Sequence, residues 1–242
     1  MKVDAHQHFW QYSTEEYGWI GPDMVVLKQD HLPENLLPLL NSAGLDGSVA
    51  VQARQTLEET RCLLELAGQH PFIRGVVGWV DLCSPELPAQ LEEFCTYSSF
   101  CGVRHIVQDE ADDEFMLREE FLEGIAALGY FDLTYDILIF PKHLPVACQV
   151  VERFPDQPFV LDHIAKPTIR DSAFDDQWEK DFRELAKRDN LTCKFSGVVT
   201  EVRDDSWSIS TIRRYWDVAI EAFTPKRLIF GSDWPVCLLK SC

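Results

Sequence analysis

The stretch GSVAVQARQTLEETRCLLELAGQH, residues 47–70, contains one complete strand–loop–helix unit. Its first part, GSVAVQA (47–53), is a short apolar run rich in β-branched residues, as a strand buried on both faces requires. The rest spaces its apolar residues with a helical period, and Thr56 followed three positions later by Glu59 forms a capping-box pattern. The stretch therefore predicts a β-strand that leads directly into an α-helix.

The same alternation of apolar strands and amphipathic helices runs through the whole chain, without an internal repeat or an interdomain linker. Strands that alternate with helices form parallel βαβ units, and eight of them predict an α/β fold, a closed (β/α)8 TIM-like barrel. We expect residues 1–242 to form this barrel as a single domain. The predicted strands are KVDAH (2–6), GSVAVQA (47–53), IRGVVGWVDL (73–82), CGVRHIVQ (101–108), FDLTYDILI (131–139), PFVLDHIA (158–165), LTCKFSGV (191–198) and RLIFGSD (227–233).

The pattern breaks at the C-terminus, where CLLKSC ends the chain nine residues after Asp233. Seven helices are predicted between the strands, and no eighth helix follows the last strand. The predicted barrel is therefore truncated at its C-terminus. We expect the apolar wall between the first and seventh helices to be uncovered or to be covered by another segment.

The composition excludes several classes of protein. Acidic residues outnumber basic ones by 40 to 22, and nucleic acids and anionic membranes both bind basic surfaces, so neither is expected as a partner. No apolar run approaches the roughly 18 residues of a membrane span, and the N-terminus does not resemble a signal peptide. The eight cysteines include no CxxC pair. We expect a cytoplasmic protein with reduced thiols, and the sequence indicates no particular oligomeric state.

Candidate catalytic residues lie at the C-terminal ends of the predicted strands, where barrel active sites form. In VDAHQHFW (3–10), His6 and His8 share one face of strand one and lie about 7 Å apart along the backbone. Asp233 ends strand eight in LIFGSDWP, and closure of the barrel makes strand eight a neighbour of strand one. We therefore predict that Asp233 faces the two histidines. The alternatives are that His6 and His8 are half-buried structural residues and that Asp233 is a turn residue.

Strands six and four supply further candidates. In VLDHIAKP, alternation directs Asp162 and His163 to opposite faces, and we predict that His163 lines the site while Asp162 supports it. Lys166 follows the strand and is either a positive charge above the pocket or a solvated loop residue. On strand four, Arg104 is predicted to bind a substrate oxygen, because its guanidinium is a permanent donor. His105 has the opposite facing and is expected to be structural.

Several other polar and aromatic residues end near the same rim. Gln52, Trp79 and Tyr135 are predicted to bind substrate hydroxyl groups or to stack on a ring, with core packing or hydrogen bonding at the rim as the alternative. Trp10 and Trp234 have the same two alternatives.

The remaining histidines and motifs give weaker evidence for a functional site. His31, His70 and His143 fall in loops or helix starts and are expected to face solvent, and Ser196 and Glu201 are weaker candidates near the end of strand seven. The sequence contains no GxSxG elbow, P-loop, HExxH motif or cysteine-rich metal cluster.

Taken together, VDAHQHFW, GVRHIVQ, VLDHIAKP and LIFGSDWP resemble the amidohydrolase superfamily. The closest resemblance is to its lactonase branch, which includes L-fuconolactone, L-rhamnonolactone and pyrone-dicarboxylate hydrolases, and KFSGVVTE on strand seven also fits the sugar-lactone enzymes. The resemblance implies hydrolysis of a small-molecule sugar lactone, such as L-fuconolactone in L-fucose catabolism, to the aldonic acid. Besides Arg104, only Arg54 and Arg203 are placed near the rim, which favours a neutral lactone over a dicarboxylate.

The sequence departs from superfamily members that bind two metal ions. Those members carry a bridging lysine or glutamate on strand four and a histidine on strand five, whereas strand four here offers Arg104 and strand five has no histidine. The resemblance therefore implies at most one divalent ion, zinc or similar, and the branch also contains enzymes that need no metal. The possible ligands are His6, His8, His163 and Asp233.

The mechanism implied by the resemblance makes Asp233 the general base that activates water. His6, His8 and His163, with Arg104 or a metal ion, would stabilise the oxyanion that develops on the lactone carbonyl. Two alternatives remain open: a metal-dependent decarboxylase of the same superfamily, and an inactive or regulatory truncated barrel.

Overall fold

Eight parallel strands form a single sheet in sequence order in the computed structural model, which describes residues 1–205 and 207–240. Each strand pairs with the next, from β1 with β2 to β7 with β8. The predicted (β/α)8 barrel is confirmed. The strands are β1 (Val3–Gln7), β2 (Gly47–Val51), β3 (Ile73–Gly78), β4 (Phe100–His105), β5 (Thr134–Ile137), β6 (Phe159–Leu161), β7 (Leu191–Phe195) and β8 (Leu228–Phe230).

Seven α-helices alternate with these strands within the described ranges 1–205 and 207–240. The predicted N-terminus of the second helix is confirmed, because the Thr56 hydroxyl accepts a hydrogen bond from the Glu59 N–H at 3.2 Å. None of the described helices is both long and apolar enough to cross a lipid bilayer. The helices are α1 (Pro33–Ala43), α2 (Leu57–Gln69), α3 (Leu87–Phe94), α4 (Glu119–Leu128), α5 (Leu144–Arg153), α6 (Asp176–Leu185) and α7 (Ile209–Arg227).

Several strands end earlier than the sequence predicts, because the chain turns out of the sheet where the candidate site begins. The strand predicted over 158–165 ends at Leu161, and a tight turn over Asp162–Ala165 follows it. In that turn His163 has a φ of +52°, a left-handed conformation that is uncommon for residues other than glycine. Such backbone conformations cluster at functional sites, where the surrounding structure compensates for their cost.

The barrel closes through the residues that follow β8. The Asp233 N–H donates to the His6 carbonyl at 2.8 Å, and the His8 N–H donates to the Trp234 carbonyl at 2.7 Å. Gly231 allows this close approach, because a Cβ at that position would lie 2.6 Å from the Cβ of His6. Closure thus places Asp233 beside the end of β1, as predicted.

The C-terminal residues pack onto the long segment between β1 and α1. A small hydrophobic cluster of that segment contains Trp10, Tyr17 and Leu27, and Val236 and Leu239 pack against it. The outer side of the last strand stays open, since Phe230 on β8 is 56% exposed and Trp216 on α7 is 38% exposed. The expected gap in the helical layer is therefore present on this side of the barrel.

Two histidines that were predicted to face solvent are buried, which corrects that prediction. His31 packs edge-on against Trp10 and Trp234, with ring centroids 5.2 and 5.1 Å away. His143 is fully buried and accepts a hydrogen bond from the Phe140 N–H through Nδ1. The loops that carry these residues fold back over the core, which periodicity does not reveal.

Candidate active site

Four predicted residues meet at the C-terminal end of the barrel. His8 Nε2 lies 3.3 Å from Asp233 Oδ1, and His6 Nε2 lies 3.8 Å from the same oxygen. The ring of His163 lies against that of His6, with centroids 4.4 Å apart. All four side chains are buried. Side-chain alternation on β1 and closure of the barrel thus bring together residues that are far apart in sequence.

The position of the Asp233 side chain depends on the backbone around it. Asp233 has a φ of +59°, and its N–H is fixed by the carbonyl of His6. Across the site, Gly197 has a φ of +62°, and a Cβ there would lie 2.5 Å from Asp233 Oδ2 and 2.9 Å from His163 Nδ1. The absence of a side chain at Gly197 therefore makes the space that these two groups occupy.

The electrostatic environment keeps Asp233 ionised and His163 neutral. Burial by itself would raise the pKa of the Asp233 carboxyl, but His163, His8 and His6 outweigh it and hold that pKa below its usual range. Burial lowers the pKa of His163 to about 4. At neutral pH the site therefore contains a carboxylate beside an uncharged imidazole.

Backbone carbonyls fix the ring nitrogens that face the site. His8 Nδ1 lies 2.7 Å from the Val51 carbonyl, and His163 Nδ1 lies 3.1 Å from the Ser196 carbonyl. To donate to the Val51 carbonyl, His8 Nδ1 must carry a hydrogen, whereas His163 Nδ1 also lies 2.9 Å from the Ser196 hydroxyl, from which it can accept. A neutral His8 would then turn its Nε2 lone pair towards Asp233 Oδ1. Two acceptors at this distance require a proton or a metal cation between them.

Two groups of buried side chains have the ligand types and spacing of a metal site. One group is His6, His8 and Asp233, and the other is His6, Asp162 and His163. Within each group the candidate ligand atoms all lie within 4.8 Å of one another. Imidazole nitrogens combined with a carboxylate oxygen suit zinc. His6 belongs to both groups, so the two candidate sites share one imidazole.

Below His6, the barrel interior contains charged residues that the sequence reasoning missed. Lys194 on β7 forms an ion pair with Asp136 on β5, and its Nζ lies 3.0 Å from Asp162 Oδ1. Each of the two is a single charged residue inside an otherwise apolar strand, and this pattern was the sequence signal that could have identified them. Burial raises the pKa of Asp136 to about 6, although the adjacent Lys194 ammonium lowers it.

Arg104 belongs to this interior network and also lines the cavity, so its role in binding substrate stays a prediction. Its Nη1 donates to Asp162 Oδ2 at 3.0 Å and lies 3.2 Å from His6 Nε2. Its Nη2 donates to the Gln52 carbonyl. The guanidinium touches the floor of the cavity above, but both of its terminal nitrogens already have protein partners.

The predicted opposite facing of Asp162 and His163 is also wrong. Asp162 Oδ1 lies 3.3 Å from His6 Nδ1, and the ring of His163 packs on the same imidazole. Strand alternation does not apply here, because β6 ends at Leu161 and the left-handed turn directs both side chains inward.

A cavity of about 410 Å³ lies above His8, His163 and Asp233. Lys166 lines it, which is the first of its two predicted alternatives, and so does Glu201, which is buried and pairs with Arg203 at 2.9 Å. This volume is typical of sites for small molecules. Further lining residues are polar (Gln108 and Asp109) and apolar (Trp19, Met24, Ile106, Leu138, Phe140, Val236 and Leu239).

Three residues predicted to bind substrate lie outside this cavity. Tyr135 is fully buried among Phe121 and Phe159 on the helix side of the sheet. The Trp79 indole N–H donates to His105 Nδ1 at 3.4 Å, and the Gln52 amide donates to the carbonyl of Arg104. These three predictions are corrected, because each side chain serves packing or internal hydrogen bonding.

Trp10 and Trp234 also lie in packed clusters away from the cavity, so neither stacks on a ligand there. The aromatic residue that reaches the cavity from the β1–α1 segment is Trp19, which the sequence analysis did not select.

Comparison with known proteins adds four findings. A family model described as Amidohydrolase matches residues 3–241. An L-fucono-1,5-lactonase from Burkholderia multivorans is 41% identical, over 99% of this chain and 83% of that protein. A crystal structure of an amidohydrolase from the same species, with bound Zn, superposes with a TM-score of 0.95 at 42% identity, over 100% of this chain and 87% of the other. A probable 2-pyrone-4,6-dicarboxylic acid hydrolase from Acinetobacter baumannii shares the fold, with a TM-score of 0.72 at 16% identity over 97% and 84% of the two chains.

Proposed function

The chain belongs to the amidohydrolase family, and from this premise we propose that it is a lactonase that hydrolyses a sugar lactone such as L-fucono-1,5-lactone to the aldonic acid. The family resemblance predicted from the four motifs is confirmed. The proposal rests on a relative named for this activity that matches 99% of this chain. It also rests on the buried cluster of three histidines and Asp233, which lies beneath a cavity of the size that small molecules occupy.

The cavity suits a neutral polyhydroxylated ligand. Glu201 and Gln108 offer acceptors and donors for hydroxyl groups, while Trp19 and Phe140 offer apolar surface for the ring carbons. Arg203, the arginine at the rim, is already paired with Glu201. A dicarboxylate would need more than one unpaired cation, and Lys166 is a single ammonium at the cavity without an ion pair among the described residues, so the proposed partner is a small neutral lactone.

Asp233 is proposed to activate the attacking water. Its carboxylate is ionised at neutral pH and lies at the floor of the cavity, so it accepts the proton of a water molecule that attacks the lactone carbonyl. It then returns that proton to the ring oxygen as the carbon–oxygen bond breaks. The product is the open hydroxy acid, and Asp233 is regenerated.

The ring nitrogens limit how the histidines assist. His8 Nδ1 donates to the Val51 carbonyl, so Nε2 is the ring nitrogen of His8 that faces the site. The Lys166 ammonium lines the cavity and is a donor there. The proposed stabilisation of the oxyanion therefore uses His6, His8 and His163 with Arg104 or a metal ion, and Lys166 adds a further donor.

The residues fit one divalent ion, which we propose is held by His6, His8 and Asp233, with His163 adjacent. The close approach of His8 Nε2 and Asp233 Oδ1, at 3.3 Å, is the observation that fits a metal, and the donor set suits zinc. A bound ion of this kind supplies a Lewis acid for the carbonyl oxygen. The protein contributes the fixed ring orientations through the Val51 and Ser196 carbonyls.

The test is a pH-indicator assay of acid release from a panel of sugar lactones, with Asp233→Asn as the variant. We expect Asp233→Asn to lose roughly 10³-fold or more in kcat while remaining folded, because the proton acceptor is gone. Asp217→Asn is the matched control, since Asp217 is exposed on α7 and pairs only with Arg213 among the ion pairs described. Retained turnover in folded Asp233→Asn would refute the role of this carboxylate.

The same panel separates the alternative reaction. If the protein is a decarboxylase, aromatic carboxylates tested beside the lactones will release carbon dioxide. If it is a lactonase, the lactones will release acid and the aromatic carboxylates will not react. Activity on neither class would favour the inactive barrel. Assays with and without a chelator, combined with metal analysis, test the proposed ion.

A further inference from the structure

The ammonium group of Lys194 lies against a group of side chains with the ligand types and spacing of a metal site, namely His6, Asp162 and His163. Its Nζ forms an ion pair with Asp136 Oδ2 and lies 3.0 Å from Asp162 Oδ1 and 3.3 Å from His6 Nδ1. Two of these partners, Asp162 and His6, belong to that group, and their carboxylate and imidazole suit zinc and similar ions. All five side chains are buried in the barrel interior, so solvent does not screen these charges.

The charges around this group are already balanced without a metal ion. Lys194 and Arg104 carry two positive charges, and Asp136 and Asp162 carry two negative charges. A divalent ion bound by His6, Asp162 and His163 would add two further positive charges next to the Lys194 ammonium. Uncompensated charge in a buried site is strongly unfavourable.

We propose that the Lys194 ammonium is a resident cation that fills a second metal position beneath the site, and that it limits the protein to one divalent ion, held by His6, His8 and Asp233. The proposal concerns the cation capacity of the barrel and does not depend on which substrate is hydrolysed.

The same contacts make Lys194 a positioning residue for His6. Asp162 is held by Lys194 through Oδ1 and by Arg104 through Oδ2, and Oδ1 also faces His6 Nδ1 at 3.3 Å. With Nδ1 directed at Asp162, the opposite nitrogen Nε2 lies 3.8 Å from Asp233 Oδ1 and 3.2 Å from Arg104 Nη1. The Lys194 ammonium thus fixes the Nδ1 side of the His6 ring, so that the Nε2 side faces the ion proposed to be held by His6, His8 and Asp233.

The test compares Lys194→Ala with Lys194→Met in the full chain. Lys194→Ala removes the ammonium and leaves space among its three partners, whereas Lys194→Met removes the charge but fills the space. We expect wild type and Lys194→Met to retain one zinc per chain after gel filtration, and Lys194→Ala to retain two. We also expect zinc to raise the melting temperature of Lys194→Ala more than that of wild type, because the ion replaces the lost charge.

Lys187→Ala is the surface control, since Lys187 is exposed and pairs with Glu184 on the outside of the barrel. It should match wild type in both measurements. Two zinc ions in wild type, with one of them lost in Asp136→Asn, would overturn the proposal. So would a folded Lys194→Ala that binds no additional zinc, or a Lys194→Ala that remains unfolded at saturating zinc.

Discussion

Substitution of Gly197 by alanine should separate the geometry of the site from the stability of the fold. Gly197 follows β7 with a φ of +62°, and the space where its Cβ would lie is taken by two proposed catalytic groups. A Cβ there would lie 2.5 Å from Asp233 Oδ2 and 2.9 Å from His163 Nδ1, whereas ordinary contacts begin at 3.4 Å. The Asp233 carboxylate would therefore have to move by about 0.9 Å, the difference between 3.4 and 2.5 Å.

Two separate effects follow from this geometry. The left-handed backbone costs alanine about 1–2 kcal/mol, which a domain of this size survives because its total stability is about 5–15 kcal/mol. Displacement of a reacting group by about 1 Å can cost 10²-fold in rate. We therefore expect Gly197→Ala to remain folded and to lose roughly 10²-fold in kcat.

The assay is lactone hydrolysis beside urea unfolding, with Gly44→Ala as the matched control. Gly44 ends α1 with a φ of +69°, and nothing lies within 4 Å of its would-be Cβ. Gly44→Ala should thus lose a similar free energy of unfolding and keep its kcat. A Gly197→Ala protein whose kcat stays within about threefold of wild type would refute the reasoning from displacement.

Three further predictions follow from buried polar groups. Glu201→Gln should raise KM roughly 10-fold at nearly constant kcat in steady-state assays, because Glu201 lines the cavity and is not one of the groups proposed to act on the carbonyl; an unchanged KM would exclude it from substrate binding. Burial raises the pKa of Glu59 from 4.5 to about 7, so its favourable contribution is complete below about pH 4.5 and is lost as pH rises through 7. Glu59→Gln should therefore gain roughly 3 kcal/mol relative to wild type between these limits in urea unfolding, and parallel pH profiles would contradict this. Asn190→Ala should lose roughly 2–3 kcal/mol in the same assay, since the Asn190 amide donates to the Phe154 and Gln157 carbonyls at 2.9 and 3.0 Å; a loss below about 0.5 kcal/mol would contradict it.

The barrel could be predicted from sequence because its signals are local and repeated. Apolar strands such as GSVAVQA and caps such as Thr56 each specify one element, and the alternation of elements specifies the parallel sheet. Strand ends could not be predicted, because the exit from a strand depends on tertiary contacts. At β6 this error of a few residues changed the facing of Asp162.

The upper half of the site was predictable for a topological reason. His6 and His8 share a face by strand alternation, and closure of the barrel makes Asp233 their neighbour whatever the loops do. Tyr135 and Trp79 show the limit of this reasoning. A position near a strand end does not say whether its side chain enters the cavity or packs beneath the helices, since that depends on the register of each strand in the barrel.

The charged residues beneath His6 could not be predicted from strand alternation and barrel closure. Lys194 and Asp136 are single charged residues inside apolar strands, and either one alone would count against a buried strand. Their meaning appears only when both are placed on the inner face of the same barrel, where each compensates the charge of the other. The departure from the two-metal pattern then gains a physical explanation. The barrel does not merely lack a strand-five histidine, because protein cations already occupy the volume and balance the charge that a second ion would require.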